Sequence, residues 1–383
     1  MVVGLKNRGH KVTVLTALPN YPSGSLFSDF KLQPDKYSDF NGVEICRVPI
    51  ILRGNNKVKL VLNYLSFALS ASIIGAFKLR KYNFDIIFVF EPSPITVGLP
   101  AIVFKKIKKI PIIFWVLDLW PDTLQAIGII KSEKIIKLIG GLVSFIYNHC
   151  DLILGQSKSF LPHIKKYTKH NSIEYFPSWA ESALSKKNND NFYKKKSTFN
   201  IVFTGNIGEA QDFPSILDAI ELLKVDTNVH WTVVGDGRLL SWLKSEIITR
   251  ELTSYVTIKG YHPIDKMPDF FADADALLVC LKDEPVFSMT IPGKLQAYLC
   301  SGKPILAMLN GEGAKIIEDS GCGFSSRSGD SVALVNSIYK LKKMNIKDRE
   351  KMGLRGLKLS KEEFNRDSLI DRLELLMIIH SKK

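Results

Sequence analysis

"SMTIPGKLQAYLCSGKPILA", Ser288–Ala307, reads as a helix followed by a buried strand. Pro292 suits a first helical position, where its missing N–H has no partner to lose. Ser301-Gly302 ends the helix, because glycine takes the left-handed C′ conformation without a Cβ penalty. Pro304 then opens "PILAM", an apolar run too short for a helix and suited to a covered strand. Lys294 falls in the first turn of this helix. A cation there opposes the helix dipole by roughly 0.3–1 kcal/mol, and a bound anion reverses the sign.

The same helix–strand alternation extends in both directions. "FNIVFTGN", "VHWTVVGDG", "YVTIKGY" and "ADALLVCLK" precede it, and "KVTVLTAL", "FDIIFVF", "KIPIIFWVLDL" and "CDLILGQS" form an earlier series. Such runs between helical stretches predict parallel sheets covered on both faces. "ESALSKKNNDNFYKKKS", Glu181–Ser197, interrupts the pattern with Lys, Asn and Ser. The expected organisation is an α/β chain of two doubly wound, Rossmann-like domains facing a cleft. Residues 1–180 form the first, 181–198 a linker, 199–360 the second, and 361–383 a final helix.

The 383 residues carry a net charge of +14. Residues 1–180 hold 23 Lys/Arg against 11 Asp/Glu, and the remainder 29 against 27, so the excess lies in the first half. A lysine-rich solvated surface accounts for this, and so does an anionic partner of that half. No helix-turn-helix, RRM or KH pattern points to nucleic acid, so an anionic membrane surface is the expected partner. Leu60–Phe77 has no charge over 18 positions, which raises the question of a membrane span. Asn63, Ser66 and Ser70 place a polar stripe on it, favouring a buried or interfacial helix. "FKKIKKIP", Phe104–Pro111, is either a solvated helix end or a membrane-contact patch. The five cysteines stand far apart with no C-x-x-C, which indicates neither zinc nor a disulfide framework. The opening "MVVGLKNRGHKVTVLT" puts charges where a signal peptide is apolar, so a cytoplasmic chain is expected.

Three glycine-bearing turns follow strands in the second half. Gly205 and Gly208 lie in "FTGNIGEAQDF", with Asn206 and Gln211; Gly235-Asp236-Gly237 precedes Arg238; Pro292-Gly293 precedes Lys294 and Gln296. None is a dinucleotide fingerprint or a Walker A loop. Three such turns in one sheet, two with a cation, point to a phosphate-bearing ligand. In the first half, Asp118 follows a strand in "VLDLWPDT", with Asp122 close behind. Both are candidate catalytic carboxylates or helix caps. Trp120 offers a flat face for a ligand ring, and Glu91 in "FVFEPSP" is either a turn acid or a third candidate.

"FTGNIGEAQDF", "VVGDGRLL" and "TIPGKLQAYLCSGKPILA", in that order, resemble family 4 of the retaining glycosyltransferases, which have the GT-B fold. "RGHKVTVLTALPNYPSG" and "FWVLDLWPDT" resemble its bacterial surface-polysaccharide group, including N-acetyl-L-fucosamine transferases. The resemblance implies a nucleotide-sugar donor, UDP-linked, in the second domain, with Tyr261 among its contacts. It implies a lipid-linked glycan acceptor in the first domain, at the cytoplasmic face of the plasma membrane, for O-antigen or capsule synthesis. It implies that "FNRDSLIDRLELLMIIH" crosses back to the first domain, and that the reaction uses no metal or cofactor. Arg238 and Lys294 would stabilise the leaving diphosphate.

The chain departs from that pattern in three places. The family's two glutamates before the last helix match Ser288 and Gln296, and its usual Arg and Lys match Asn206 and Gln211. The family also begins with a strand and a Gly-rich loop. Here "MVVGLKNRGHK" runs directly into "KVTVLT", so the first strand of the N-terminal domain is expected to be missing. A catalytically impaired relative that binds the donor, and a UDP-sugar epimerase on the same fold, are the rival readings.

Overall fold

The computed structural model describes residues 1–20, 24–54, 57–185, 198–226 and 228–381. Residues 186–197, most of the expected linker, lie outside the described residues. The chain divides into two compact units. One comprises 1–156, 160–176 and 367–383, and the other 157–159 and 177–366.

The first unit holds β1 (Thr13–Ala17), β2 (Asp39–Phe40), β3 (Val43–Val48), β4 (Ile87–Glu91), β5 (Ile112–Val116), β6 (Leu152–Gly155) and β7 (Ile173–Tyr175). They form two ladders, β1-β3-β2 and β4-β5-β6-β7. All pairs are parallel except β2–β3. Strand β5 is buried at every position, as expected of "IIFWV" covered on both faces. Its Trp115 indole donates to the Phe176 carbonyl at 2.9 Å. Asp151 ties the N-terminal end of β5 in place by accepting from Ile112 N at 2.7 Å and Lys105 Nζ at 2.5 Å. The last helix, Arg366–Ser381, belongs to this unit. It buries Leu369, Ile370, Leu373 and Leu376 and pairs Asp371 with Arg8, Glu374 with His10 (2.7 Å) and Arg372 with Glu174 (3.0 Å).

The second unit is one six-stranded parallel sheet. Its strands are β8 (Phe199–Thr204), β9 (Val229–Val234), β10 (Val256–Gly260), β11 (Ala276–Cys280), β12 (Ile305–Met308) and β13 (Gly323–Ser326). The order is β10-β9-β8-β11-β12-β13, so the winding direction reverses between β8 and β11. In open α/β sheets a ligand crevice forms at that reversal, outside the carboxyl ends of the strands.

The helix of the opening stretch spans Gly293–Ser301 and ends at Gly302 with φ 68°. Pro292 is its N-cap residue, at ψ 134°, rather than its first helical residue. Proline's fixed φ suits either place, and ψ decides that the helix starts one residue later. Lys303, just past its end, is buried, and its ammonium donates to the carbonyls of Ala272 (2.9 Å) and Ala274 (2.8 Å). These are acceptors at the end of the helix Met267–Asp273, so this buried charge has two carbonyl partners at a helix C-terminus.

The helix Ile346–Glu362 approaches Gly302 so closely that a Cβ on Gly353 would lie 1.8 Å from the Gly302 carbonyl oxygen. Gly→Ala inside a helix ordinarily stabilises by about 1 kcal/mol. Here the sign reverses: Gly353→Ala is expected to destabilise the second unit by about 1–3 kcal/mol, read as a lower urea midpoint.

Candidate functional site

Three loops at the carboxyl end of the second sheet are joined through their backbones. Gly205 N donates to Val234 O, Gly235 N to Gly260 O and Ile207 N to Asp236 O, each at 2.8 Å. Gly235 and Gly237 have φ of 149° and 158°. A Cβ on Gly235 would lie 1.8 Å from the Gly205 oxygen, and one on Gly237 2.2 Å from the Ile207 oxygen. Both glycines are therefore required for close approach of the first two turns. Asp236 Oδ1 accepts from Gly237 N at 2.7 Å, closing the turn locally. Arg238 is exposed on it, and Tyr261, following Gly260, is 75% exposed.

Lys294 lies against the first loop. A Cβ on Gly205 would fall 2.7 Å from Lys294 Cε, so glycine makes room for the lysine stem. Its Nζ is buried and has no hydrogen-bond partner. The Phe203 ring face, 3.8 Å from Nζ to the centroid, is its neighbour. Burial drives the ammonium down to about 7 from the ordinary 10.5, with only a small opposing pull from Cys280. A cation–π contact offsets part of such a loss and does not replace three hydrogen-bond acceptors. Two turns of sequence away, Lys303 is buried with its acceptors supplied. The contrast makes Lys294 the candidate group for an acceptor outside the chain. The helix N-terminus beside it has no side-chain cap, and its N–H groups suit an anion.

Some expected contacts are engaged within the protein. Gln211 Oε1 accepts from Gly208 N at 3.1 Å and fixes that loop. Gln296 is buried at 1% exposure with its Nε2 unpartnered. The Tyr298 hydroxyl, unremarked in the sequence, accepts from Thr204 N at 2.9 Å and anchors the end of β8 to the Gly293–Ser301 helix.

The first unit holds a separate polar group where β4 and β5 end. Asp118 accepts from Thr123 Oγ1 at 2.5 Å and from the Trp120 indole at 3.2 Å. The indole also reaches Ser93 Oγ at 3.2 Å. Trp120 is 6% exposed with Tyr64 against its ring. It therefore offers no open face to a sugar and instead orients Asp118, which corrects the expectation above. Asp122 stands apart from this group, paired with His163 at 3.1 Å. Its carboxyl lies below the usual range: burial alone would raise it, and the His163 hydrogen bond and charge prevail.

Glu91 is completely buried, and neither carboxyl oxygen has a hydrogen-bond partner. The Leu117 and Asp118 amides come near enough to favour its charged form without reaching hydrogen-bond geometry. Burial dominates and lifts Glu91 well above the carboxylate range, and the Asp118 charge adds to this. Burial raises Asp118 as well, against the hydrogen bonds from Thr123 and Trp120. Two desolvated carboxyls thus share the end of one strand pair, and burial, with the Asp118 charge adding to it, favours the protonated form of Glu91. The signal in sequence was an acid at a strand end before Ser-Pro, which a turn acid also satisfies.

Residues 198–343 match the family described as glycosyl transferases group 1. The chain is 28% identical over 248 residues to "Probable glycosyltransferase WbjE" of Pseudomonas aeruginosa, covering 61% of this chain and 60% of that protein. It is 23% identical over 320 residues to WcaI of Escherichia coli K12, named for colanic acid biosynthesis as a glycosyl transferase, covering 79% and 76%. The fold resembles that of Anabaena HepE, solved in complex with UDP and glucose, at a TM-score of 0.70 and 12% identity over 96% of this chain and 99% of that one.

Replacing Lys294 by Met removes a buried ammonium that the free protein leaves without acceptors. Lys294→Met is expected to stabilise the ligand-free chain at pH 7 by about 1–4 kcal/mol in urea unfolding. An unfolded lysine keeps its proton to about 10.5 and the native one only to about 7. Between those values the unfolded state binds more protons, so wild-type stability rises with pH. The wild-type minus variant stability difference should climb across that window, and a flat difference refutes the desolvated ammonium.

Proposed function

We propose that the chain is a family 4 glycosyltransferase of the GT-B fold, as its match to glycosyl transferases group 1 over residues 198–343 and its likeness to WbjE, WcaI and HepE support, and that it transfers a sugar from a nucleotide sugar to a bacterial surface glycan. The observation that carries the proposal is the unpartnered, buried Lys294 ammonium at the winding reversal of the second sheet. A donor diphosphate supplies the missing acceptors, and the helix N-terminus at Gly293 adds N–H donors. The WcaI name supports the glycan class, and the UDP and glucose in the HepE complex support a UDP-linked donor.

In this reading Gly205, Gly208, Gly235 and Gly237 bring backbone close to the nucleotide. Asn206 and Gln296 hydrogen-bond it, and Tyr261 meets its base. As the sugar–oxygen bond breaks, negative charge grows on the diphosphate. Lys294 and Arg238 stabilise that charge in place of a metal, lowering the barrier where it matters. The acceptor hydroxyl attacks the face the diphosphate leaves, with retention, and the leaving phosphate takes its proton. Asp118, oriented by Trp120 and Thr123, is the candidate catalytic carboxylate of the first unit. Glu91 stays protonated beside it, so the site carries one negative charge and not two. The acceptor is lipid-linked, and the enzyme works as a peripheral protein on the cytoplasmic face of the plasma membrane.

Isothermal titration with UDP tests the donor site. The wild type should bind, and Lys294→Ala/Arg238→Ala should weaken binding by about two orders of magnitude, as loss of two charge-assisted contacts implies. Unchanged affinity in the double variant removes the basis of the proposal. Asp118→Asn should keep UDP affinity within a few-fold and lose about 10²-fold or more in transfer rate. Parallel loss of both assigns Asp118 to the fold instead.

A further inference from the structure

Residues 57–78 form one continuous helix, with a single wide turn at Ala71–Gly75. Its stretch Val58–Lys78 is, among the described residues, long and apolar enough to cross a membrane. One side of it is committed to the protein. Ala68, Ala71 and Gly75 are buried, and a Cβ on Gly75 would lie 3.1 Å from the Leu15 side chain of β1. The polar stripe is committed too. Asn63 donates to Ile51 O at 2.6 Å, and Ser66 Oγ accepts from Ile51 N at 2.9 Å.

The remaining side is a ridge of Val58, Val61, Leu65, Leu69, Ile73 and Phe77, with Leu65 at 52% exposure and Leu69 at 63%. A spacing of four residues drifts around an α-helix. The wide turn, which holds more residues per turn, draws Ile73 and Phe77 back toward the line of the others. Ile51, at the foot of the helix, is also exposed. So large an apolar strip on the surface requires a partner.

Charge selects that partner. From Ile45 to Phe84 the chain has 7 Lys/Arg and no Asp or Glu over 40 residues. Arg80 lies over the Phe77 ring, 3.8 Å from its centroid, at the end of the ridge. A second copy of the chain would bring two such unrelieved cationic segments together, which repulsion opposes. A nucleic acid or acidic protein would leave the aliphatic ridge unused. An anionic bilayer uses both features: acyl chains take the ridge and headgroups take the cations.

We propose that the Lys57–Lys78 helix lies in the plane of an anionic membrane, its Val58–Phe77 ridge among the acyl chains and its small-residue face still docked on the first unit. The helix does not span the bilayer, because spanning would strip Gly75 from Leu15 of β1 and uncover the buried Ala71. The inference deepens the membrane placement in the proposed function. Its vesicle assay needs neither nucleotide nor acceptor, so either can fail alone.

The experiment is sedimentation of the full chain with phosphatidylcholine vesicles, with and without phosphatidylglycerol. The wild type should sediment with the anionic vesicles, weakly with the neutral ones, and be released by carbonate washing. Leu65→Glu/Leu69→Glu should lower vesicle partitioning by about tenfold or more, with an unchanged unfolding midpoint and an unchanged UDP-induced thermal shift, since both residues face outward. Three results overturn the proposal. One is equal sedimentation of variant and wild type. Another is retention after carbonate, which assigns a span. The third is a concentration-dependent dimer, lost in the variant, with no vesicle binding by the wild type.

Discussion

A buried ammonium without an acceptor governs the second unit. Lys294 Nζ is enclosed, touches an aromatic face and finds no oxygen. A cation in low dielectric without hydrogen bonds is among the more costly features a fold can hold, and its depressed pKa is the same fact expressed as proton affinity. The surrounding backbone is built to keep it there. Gly205 clears the stem, Gly235 and Gly237 let the neighbouring turn press in, and Tyr298 pins the end of β8 to the helix that carries Lys294. Removing the lysine should make the empty fold more stable, a trade that identifies binding machinery rather than packing.

The two units hold opposite electrostatic deficits. The second has a buried cation lacking an anion, and the first has a buried, unpartnered Glu91 carboxyl beside a half-buried, hydrogen-bonded Asp118. Each deficit stands at the carboxyl ends of parallel strands, where chain reversals converge polar groups without burying loops. Sugar transfer separates charge in that sense, negative on the departing diphosphate and positive on the sugar. On the proposed reading, the second unit is preset for the diphosphate.

Much of this was legible in the sequence, for definable reasons. The strands of the second sheet announced themselves because β8, β9, β11 and β12 are covered on both faces and read as continuous apolar runs. Strands β3, β7 and β13 were not picked out. Val43–Val48 interleaves Glu44 and Arg47, and the other two are short and half-exposed. The glycine turns were legible because only glycine permits the approach distances found between them. The same reasoning missed Trp120, since a Trp-Pro-Asp string does not say whether the indole faces solvent or a carboxylate. Gln211 looked like a ligand contact and proved to be a loop brace, because the decisive hydrogen bond is to a backbone amide three residues away.

Leu60–Phe77 shows why composition alone could not separate a span from a surface helix. Both demand a long uncharged run, and the three polar residues within it are compatible with either. On the membrane placement proposed here, the residues that are small rather than polar separate them. Ala68, Ala71 and Gly75 share the buried side, and small side chains let the helix backbone sit close on the sheet. A span facing lipid all round gains nothing from such a face, whereas a helix held between protein and bilayer needs it. The large residues are then left to the opposite side, where Leu65, Leu69 and Phe77 stand exposed. The asymmetry is one of side-chain volume, and a polar–apolar pattern does not register it.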